Sequence, residues 1–313
     1  MTGVDYKAQV DLLLSLLPHV AKQDCFALKG GTAINLFLRE MPRLSVDIDL
    51  VYLPKNEDRE TALHNIAVSL TKIEESAKRV ITGMSVTHIP NGQGTDSKLN
   101  CQTEVAQVKI EVNTVTRGVV FPIRRMQLAR KVQDAFGKFA EINLVAEGEI
   151  YGGKICAALD RQHPRDLFDV HQLFLDGGFT DEIFYGFLIF LISHNRPMHE
   201  LISPRLQNLQ SVFETQFRGM TEIGFFYKDY ERTRLQLIME IEARMTSEIK
   251  HFLLRFLDGN PDWNLFPLQG IGDLPAIRWK QLNINKLKIA DPRKHTMQFE
   301  ALRRKLEEAP PSH

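Results

Sequence analysis

The sequence predicts an α+β fold in two parts, a mixed strand-and-helix region over residues 1–145 and a mainly helical region over 146–307. Three observations predict it. Ser45–Leu53 alternates, with Val46, Ile48 and Leu50 on one face and Asp47 and Asp49 on the other, the pattern of a half-buried strand. Val105–Val115 alternates in the same way, setting Val108, Ile110 and Val112 against Lys109, Glu111 and Asn113. After Glu147 the apolar residues recur at helical spacing instead. The 313 residues suit two domains at ~150 residues each.

Taken in order, leucine-rich Val10–Leu17 predicts an opening helix, and Cys25–Leu28 runs into Lys29-Gly30-Gly31-Thr32. Ala33, Leu36 and Phe37 predict a helix over Thr32–Arg39, closed by Pro42. The Ser45–Leu53 strand follows, then an amphipathic helix over Glu57–Val80, a strand over Val80–Ile89, a turn at Asn91-Gly92-Gln93-Gly94 and the Val105–Val115 strand. Helices are predicted over Glu149–Arg161, Pro164–Leu175, Thr180–Ser193, a long stretch from Phe225 to Leu257, and Asp291–Glu307, with Glu308–His313 as a frayed tail.

Composition excludes several classes. Lys+Arg and Asp+Glu are both 39, so net charge gives no reason for or against a nucleic-acid partner. Cys25, Cys101 and Cys156 form no CxxC pair, which argues against a zinc knuckle or a disulfide framework and for a reducing, cytoplasmic compartment. Met1–Val20 lacks the pattern of a signal peptide. The longest apolar run, Phe184–Ile192, is far shorter than the ~20 residues of a membrane span. His-Glu-x-x-His and Gly-x-Ser-x-Gly are absent, and His163 and His171 read as helix-end or surface groups.

The chemistry concentrates in Gly30-Gly31-Thr32 and, fourteen residues on, Asp47-Ile48-Asp49-Leu50. Glycines at a helix start allow backbone N–H groups to approach phosphate oxygens, aided by the helix dipole. Two aspartates two apart on a strand point the same way and suit Mg²⁺, a hard cation that prefers carboxylates, water and phosphate. Two such ions would clamp the attacking and leaving oxygens of a phosphoryl-type transfer. Each half alone reads equally as a plain turn or a solvated strand face. Glu111 sits on the non-core face of its strand, either as a further metal ligand, as a base for an attacking hydroxyl, or as a solvent-facing neighbour of Lys109.

Together these segments resemble the DNA polymerase beta-like nucleotidyltransferases, and more closely the AbiEii/AbiGii toxin branch. Lys29-Gly30-Gly31-Thr32-Ala33-Ile34-Asn35-Leu36 and Ser45-Val46-Asp47-Ile48-Asp49-Leu50 carry the match. Tyr151-Gly152-Gly153-Lys154-Ile155-Cys156-Ala157-Ala158-Leu159-Asp160-Arg161, Arg165-Asp166-Leu167-Phe168-Asp169-Val170 and the segment 275–283 extend it. The resemblance implies a polymerase-beta-like N-terminal domain with a helical domain completing an NTP site. It implies the toxin half of a toxin–antitoxin and phage-defence pair, adding NMP from NTP to the 3′ end of tRNA and so stopping translation. It leaves open a protein hydroxyl, such as one on the cognate antitoxin, as acceptor, or a non-catalytic nucleotide- or tRNA-binding role. Carried over residue by residue, Asp47 and Asp49 would bind Mg²⁺, with Glu111 as a possible third ligand, and Gly30, Gly31, Thr32 and Lys29 would hold the triphosphate. Lys154 and Arg161, two helical turns apart, would take the β- and γ-phosphates. Asp166 or Asp169 would finish the site, with Arg165 paired to one of them or to phosphate.

Gly148-x4-Gly153-Lys154 mimics a phosphate-binding loop but has Ile155 where Ser or Thr is required. Two segments are locally basic: 117–138, with six Lys/Arg and one acid, and 278–305, with nine and two. Either would give salt-sensitive nucleic-acid contact or be a solvated helix face.

Overall fold

The structure is a computed structural model and describes residues 6–90, 92 and 94–307. The turn predicted at 91–94 falls partly outside the described residues, and the tail 308–313 wholly so. The chain divides into two compact units: Met1–Ala146 with Gly219–Ile223, and Glu147–Arg218 with Gly224–His313. The segment 219–223, read from sequence as part of the helical region, thus belongs to the first unit. There the Leu44 N–H donates to the Met220 carbonyl (2.9 Å) and the Thr221 hydroxyl to the Pro42 carbonyl (2.7 Å).

In the first unit, helix α1 (Tyr6–Val20) precedes β1 (Phe26–Lys29), α2 (Gly30–Ala33) and a π-helical turn (Ile34–Leu38). Then come β2 (Asp47–Tyr52), α3 (Arg59–Lys78), β3 (Ser85–Pro90), β4 (Asp96–Gln102) and β5 (Gln107–Asn113). The unit closes with β6 (Arg124–Gln127), α4 (Arg130–Phe136) and β7 (Glu141–Leu144). Among the described residues these strands form one mixed sheet, ordered β3-β4-β5-β2-β1-β7-β6. β2 is central, parallel to β5 and antiparallel to β1. Its Ile48 and Leu50 are fully buried as the alternation requires, but burial continues through Val51 and Tyr52, so only its first half has a polar face. The predicted helix after the glycines starts earlier, at Gly30, and ends in the π turn at Leu38, before Pro42.

α3 begins where the Asp58 carboxylate accepts the Thr61 N–H at 2.9 Å. It buries Ala62, Ile66, Leu70, Ile73 and Ala77 along one stripe, at the spacing of a helix face. Its other end is clamped to the β3–β4 pair by His88, whose Nε2 meets the Glu74 carboxylate at 2.6 Å and Nδ1 the Asp96 carboxylate at 2.9 Å. Burial pushes the imidazole pKa down, and the two carboxylates outweigh it, so the net shift is upward from 6.5. The clamp therefore contributes its full stabilisation below about pH 6.5 and loses it as pH rises through the raised folded value. His88→Gln is expected to lose stability relative to the parent at pH 6 and to approach it by about pH 9. Chemical denaturation at the two pH values checks this, and a difference that grows with pH would contradict it.

The second unit is helical. α5 (Glu147–Asp160), α6 (Pro164–Leu175), α7 (Asp181–Ser193), the short α8 (Met198–Ile202) and α9 (Gln210–Val212) lead to α10 (Tyr227–Arg244), α11 (Ser247–Leu257), α12 (Pro275–Ala290) and α13 (Pro292–Glu307). The predicted continuous stretch 225–257 is two helices, because the Thr246 hydroxyl accepts the Ile249 N–H and caps a new start. α5 and α7 cross with their backbones in contact. A Cβ on Gly152 would run into the main chain of Gly186 and Phe187, and one on Gly186 into that of Gly148. Close packing of the two helices thus rests on Gly148, Gly152 and Gly186. It also disposes of the phosphate-loop reading, since residues 148–154 are helical throughout. No helix among the described residues is long and apolar enough to cross a membrane.

Candidate active site

In the first unit the sheet sets charged residues in a row. Strand register places Lys29 opposite Asp49, Asp49 opposite Glu111, and Glu111 opposite Lys98, so all four side chains share one face. Lys98 Nζ meets the Glu111 carboxylate at 2.9 Å. Burial pushes the Lys29 ammonium pKa down, partly offset by the negative charges of Asp49 and Glu111. Asp47, two residues before Asp49 on the same face, is exposed and pairs in register with Lys109.

The glycines serve this row. Gly30 has φ +72°, which L-side chains rarely adopt, and a Cβ there would lie 2.6 Å from Asp49 Oδ2. The Asp49 carboxylate is therefore seated on the first residue of α2, where helical N–H groups have no intrahelical acceptor. A Cβ on Gly31 would meet the Arg43 guanidinium at 2.9 Å and Ser45 Oγ at 3.1 Å. Arg43 is a buried residue that sequence reasoning passed over; no pattern marks it except its place between the two motifs. The Thr32 hydroxyl, expected to touch the triphosphate, is buried and committed elsewhere. It donates to the Asp47 carbonyl and lies 3.0 Å from Ser45 Oγ, fixing the start of β2 against α2. Gly30→Ala is expected to displace the Asp49 carboxylate and to cost about 1–3 kcal/mol. Denaturant unfolding checks the cost, and an unchanged midpoint would contradict the seating.

In the second unit Lys154 on α5 points inward. Its ammonium lies 2.8 Å from Asp166 and 3.1 Å from Asp169, which sit three apart on one face of α6. All three side chains are buried, at 7%, 1% and 0% exposure. Arg161, largely exposed, grips Asp166 from the other side, Nε to Oδ2 at 2.6 Å and Nη2 to Oδ1 at 3.0 Å. Burial alone would raise the Asp166 carboxyl pKa; the Lys154 charge and the Arg161 fork outweigh it and hold it well below the usual carboxylate range. Two cations thus balance two anions. Arg165 stays outside the cluster, its N–H donating to His163 Nδ1 at 3.1 Å.

The turn that folds α6 back on α5 is pinned by residues no motif signalled. Gln162 takes φ +52°, its carbonyl accepts the Tyr230 hydroxyl at 2.9 Å, and its side-chain oxygen accepts from Arg234 Nη1 at 2.9 Å.

The sequence singles out Lys29, Asp47, Asp49 and Glu111 of the first group and Lys154, Arg161, Asp166 and Asp169 of the second, but neither Lys98 nor Arg43, and not the pairings among them. Lys154 is a buried counter-charge to Asp166 and Asp169, not half of an open phosphate-binding stripe with Arg161. The chemistry of Asp47 and Asp49 fits Mg²⁺: two same-face carboxylates supply hard oxygen donors, leaving positions for water and phosphate. Among the described residues no three His, Cys, Asp or Glu side chains are gathered closely enough to hold a metal, so Glu111, tied to Lys98, adds no preformed third ligand.

A mixed sheet with an Asp-x-Asp strand beside a glycine-led helix, followed by a helical unit, defines the nucleotidyltransferase class. The chain belongs to the AbiEii toxin family, nucleotidyl transferases of type IV toxin–antitoxin systems, whose profile matches residues 11–281. Its fold is similar to that of the nucleotidyltransferase toxin MenT4 from Mycobacterium tuberculosis H37Rv, with a TM-score of 0.55 and 14% identity over 97% of this chain and 95% of that one. No curated protein matches the chain.

Proposed function

We propose that this protein is a Mg²⁺-dependent toxin that transfers NMP from an NTP to the 3′ end of tRNA in the cytoplasm and is opposed by a cognate antitoxin. The observation that carries the transferase reading is the Asp49 carboxylate seated on Gly30, with Asp47 beside it on the open half of β2. The tRNA acceptor is supported by the family alone.

In this reading the first-turn N–H groups of Gly30 and Gly31 donate to phosphate oxygens, and Lys29 supplies positive charge to them. Asp47 and Asp49 would hold Mg²⁺, which when bound supplies Lewis-acid polarisation of the α-phosphate. The acceptor 3′-oxygen attacks the α-phosphorus, the bond to the β-phosphate oxygen breaks, and pyrophosphate leaves. The hydroxyl proton passes to a carboxylate on the row, Glu111 being the candidate, or to water. Within the second unit, Arg161 and Arg165 are the cations open to a phosphate group, because both reach solvent whereas Lys154 does not. Lys154 and Asp169 position Asp166, which in turn orients the Arg161 guanidinium.

The test incubates the protein with Mg²⁺, each labelled NTP in turn, and total tRNA. Label in tRNA supports the proposal and identifies the nucleotide. Label on protein, with none in RNA, replaces the acceptor, and label nowhere overturns the transferase assignment.

A further inference from the structure

The second unit holds a cavity of about 440 Å³ that shares no residue with the Lys154 cluster. That volume is within the range of small-molecule sites, roughly 300–1,000 Å³. Its lining combines three chemistries. Leu257 and Ile284, both buried, form an apolar floor. Asn283 and Gln298 bring carboxamides, each with donor and acceptor. Trp279 and Lys294 are exposed at its edge. The Trp279 ring is half exposed, with Lys286 Nζ 5.8 Å from its centroid. The lining carboxylate, Glu200, faces Arg196 at 4.0 Å.

The charges around it are unevenly used. In the basic segment 278–305, Arg278, Lys288 and Arg303 each meet an acid at 2.6 Å. Lys280 lines the cavity but gives its ammonium to the main-chain carbonyls of His194 at 2.6 Å and of Asn195 and Arg196 at 3.4 Å. Lys286, Arg293 and Lys294 are exposed and make no ion pair among the described residues. An open indole, two carboxamides in a half-apolar cavity and uncompensated cations at the rim match the parts of a nucleotide: a π-face, a polar base edge and phosphates.

We propose that this cavity docks a nucleotide of single-stranded RNA. Its base stacks on Trp279 and presents its edge to Asn283 and Gln298, while Lys286 and Lys294 neutralise the adjoining phosphates. The inference deepens the reading of RNA as acceptor and rests on it.

The test uses the full chain with Asp49→Asn, so that binding is read without transfer, and a fluorescein-labelled oligouridylate of about twelve nucleotides. Adding Trp279→Ala is expected to weaken binding about 5- to 100-fold, as loss of one stacked base does. Lys294→Glu is expected to weaken it and to flatten the salt dependence by about one unit of log–log slope. Affinities within twofold of the parent for both variants would overturn the proposal. Of the two tryptophans, Trp263→Phe leaves Trp279 as the sole indole, so a misfolded Trp279→Ala variant does not blunt the test. RNA should quench that emission saturably and free UMP only weakly; equal quenching by free UMP would reassign the site to a mononucleotide and overturn RNA docking. If tRNA is labelled by the wild type yet its KM is unchanged in Trp279→Ala, the docking site falls and the transferase reading stands. If no RNA is labelled but the oligouridylate quenches Trp279, the docking site stands and the acceptor reading falls.

Discussion

Replacing Asp49 by asparagine should abolish nucleotide transfer and leave the fold intact. The carboxamide has nearly the shape of the carboxylate and keeps the seat over Gly30, so packing there is undisturbed. What goes is the negative charge that would hold Mg²⁺ against the phosphates. Removing one well-placed electrostatic stabiliser costs on the order of 10²–10³ in rate, and a metal-binding carboxylate at least that. The change removes both the repulsion between Asp49 and Glu111 and the attraction between Asp49 and Lys29, effects of opposite sign, so the thermal midpoint should move by no more than a few degrees. Initial rates beside a melting curve check both halves. A folded Asp49→Asn protein with wild-type rate would sink the assignment of β2 as the catalytic strand.

Lys154→Met should instead strongly destabilise the second unit. Methionine fills a similar volume but takes the ammonium away from the buried Asp166 and Asp169, while Arg161 stays on Asp166. Removing one partner from a buried ion cluster costs about 3–5 kcal/mol, or about 6–20 °C in midpoint for a unit of this size. Lys154→Arg, which keeps the charge, should lose less. The pH dependence follows from Asp166. Its folded pKa lies below its unfolded 3.8, so its contribution is full above 3.8 and fades only as pH falls through the depressed folded value. The gap between wild type and variant should therefore hold from neutral pH to about pH 4 and close only in stronger acid. Thermal melts across that range check this. Loss of activity in Lys154→Met without loss of stability would place Lys154 at the phosphates after all.

The aspartate row of the first unit was legible in the sequence because each signal is local. Asp47 and Asp49 declare their shared face by the period of a strand, and Gly30-Gly31 declare a turn. The cluster around Lys154 was not, because a two-turn spacing to Arg161 describes one helix face and says nothing of what that face meets. Only the turn at Gln162 brings Asp166 and Asp169 under Lys154. The strands show the same division. β2 and β5 alternate between core and solvent, so both announced themselves. β1 is buried from Phe26 through Leu28 and has no alternation to read. β4 alternates, but Ser97, Leu99 and Cys101 carry its buried face, and only one of them is strongly apolar. β6 is a mostly exposed edge strand.

The strap at 219–223 sets an order of assembly. The loop before β2 is tied to the Met220 carbonyl and the Thr221 hydroxyl, which leave the ribosome some 170 residues after the aspartates do. Domains generally fold as units during synthesis, N-terminal first. Here the first unit waits for part of the second to be made before its loop is fastened. A chain broken off ahead of residue 219 carries both aspartates and both glycines but lacks the tie beneath them, so an interrupted synthesis releases the motif without its finished frame.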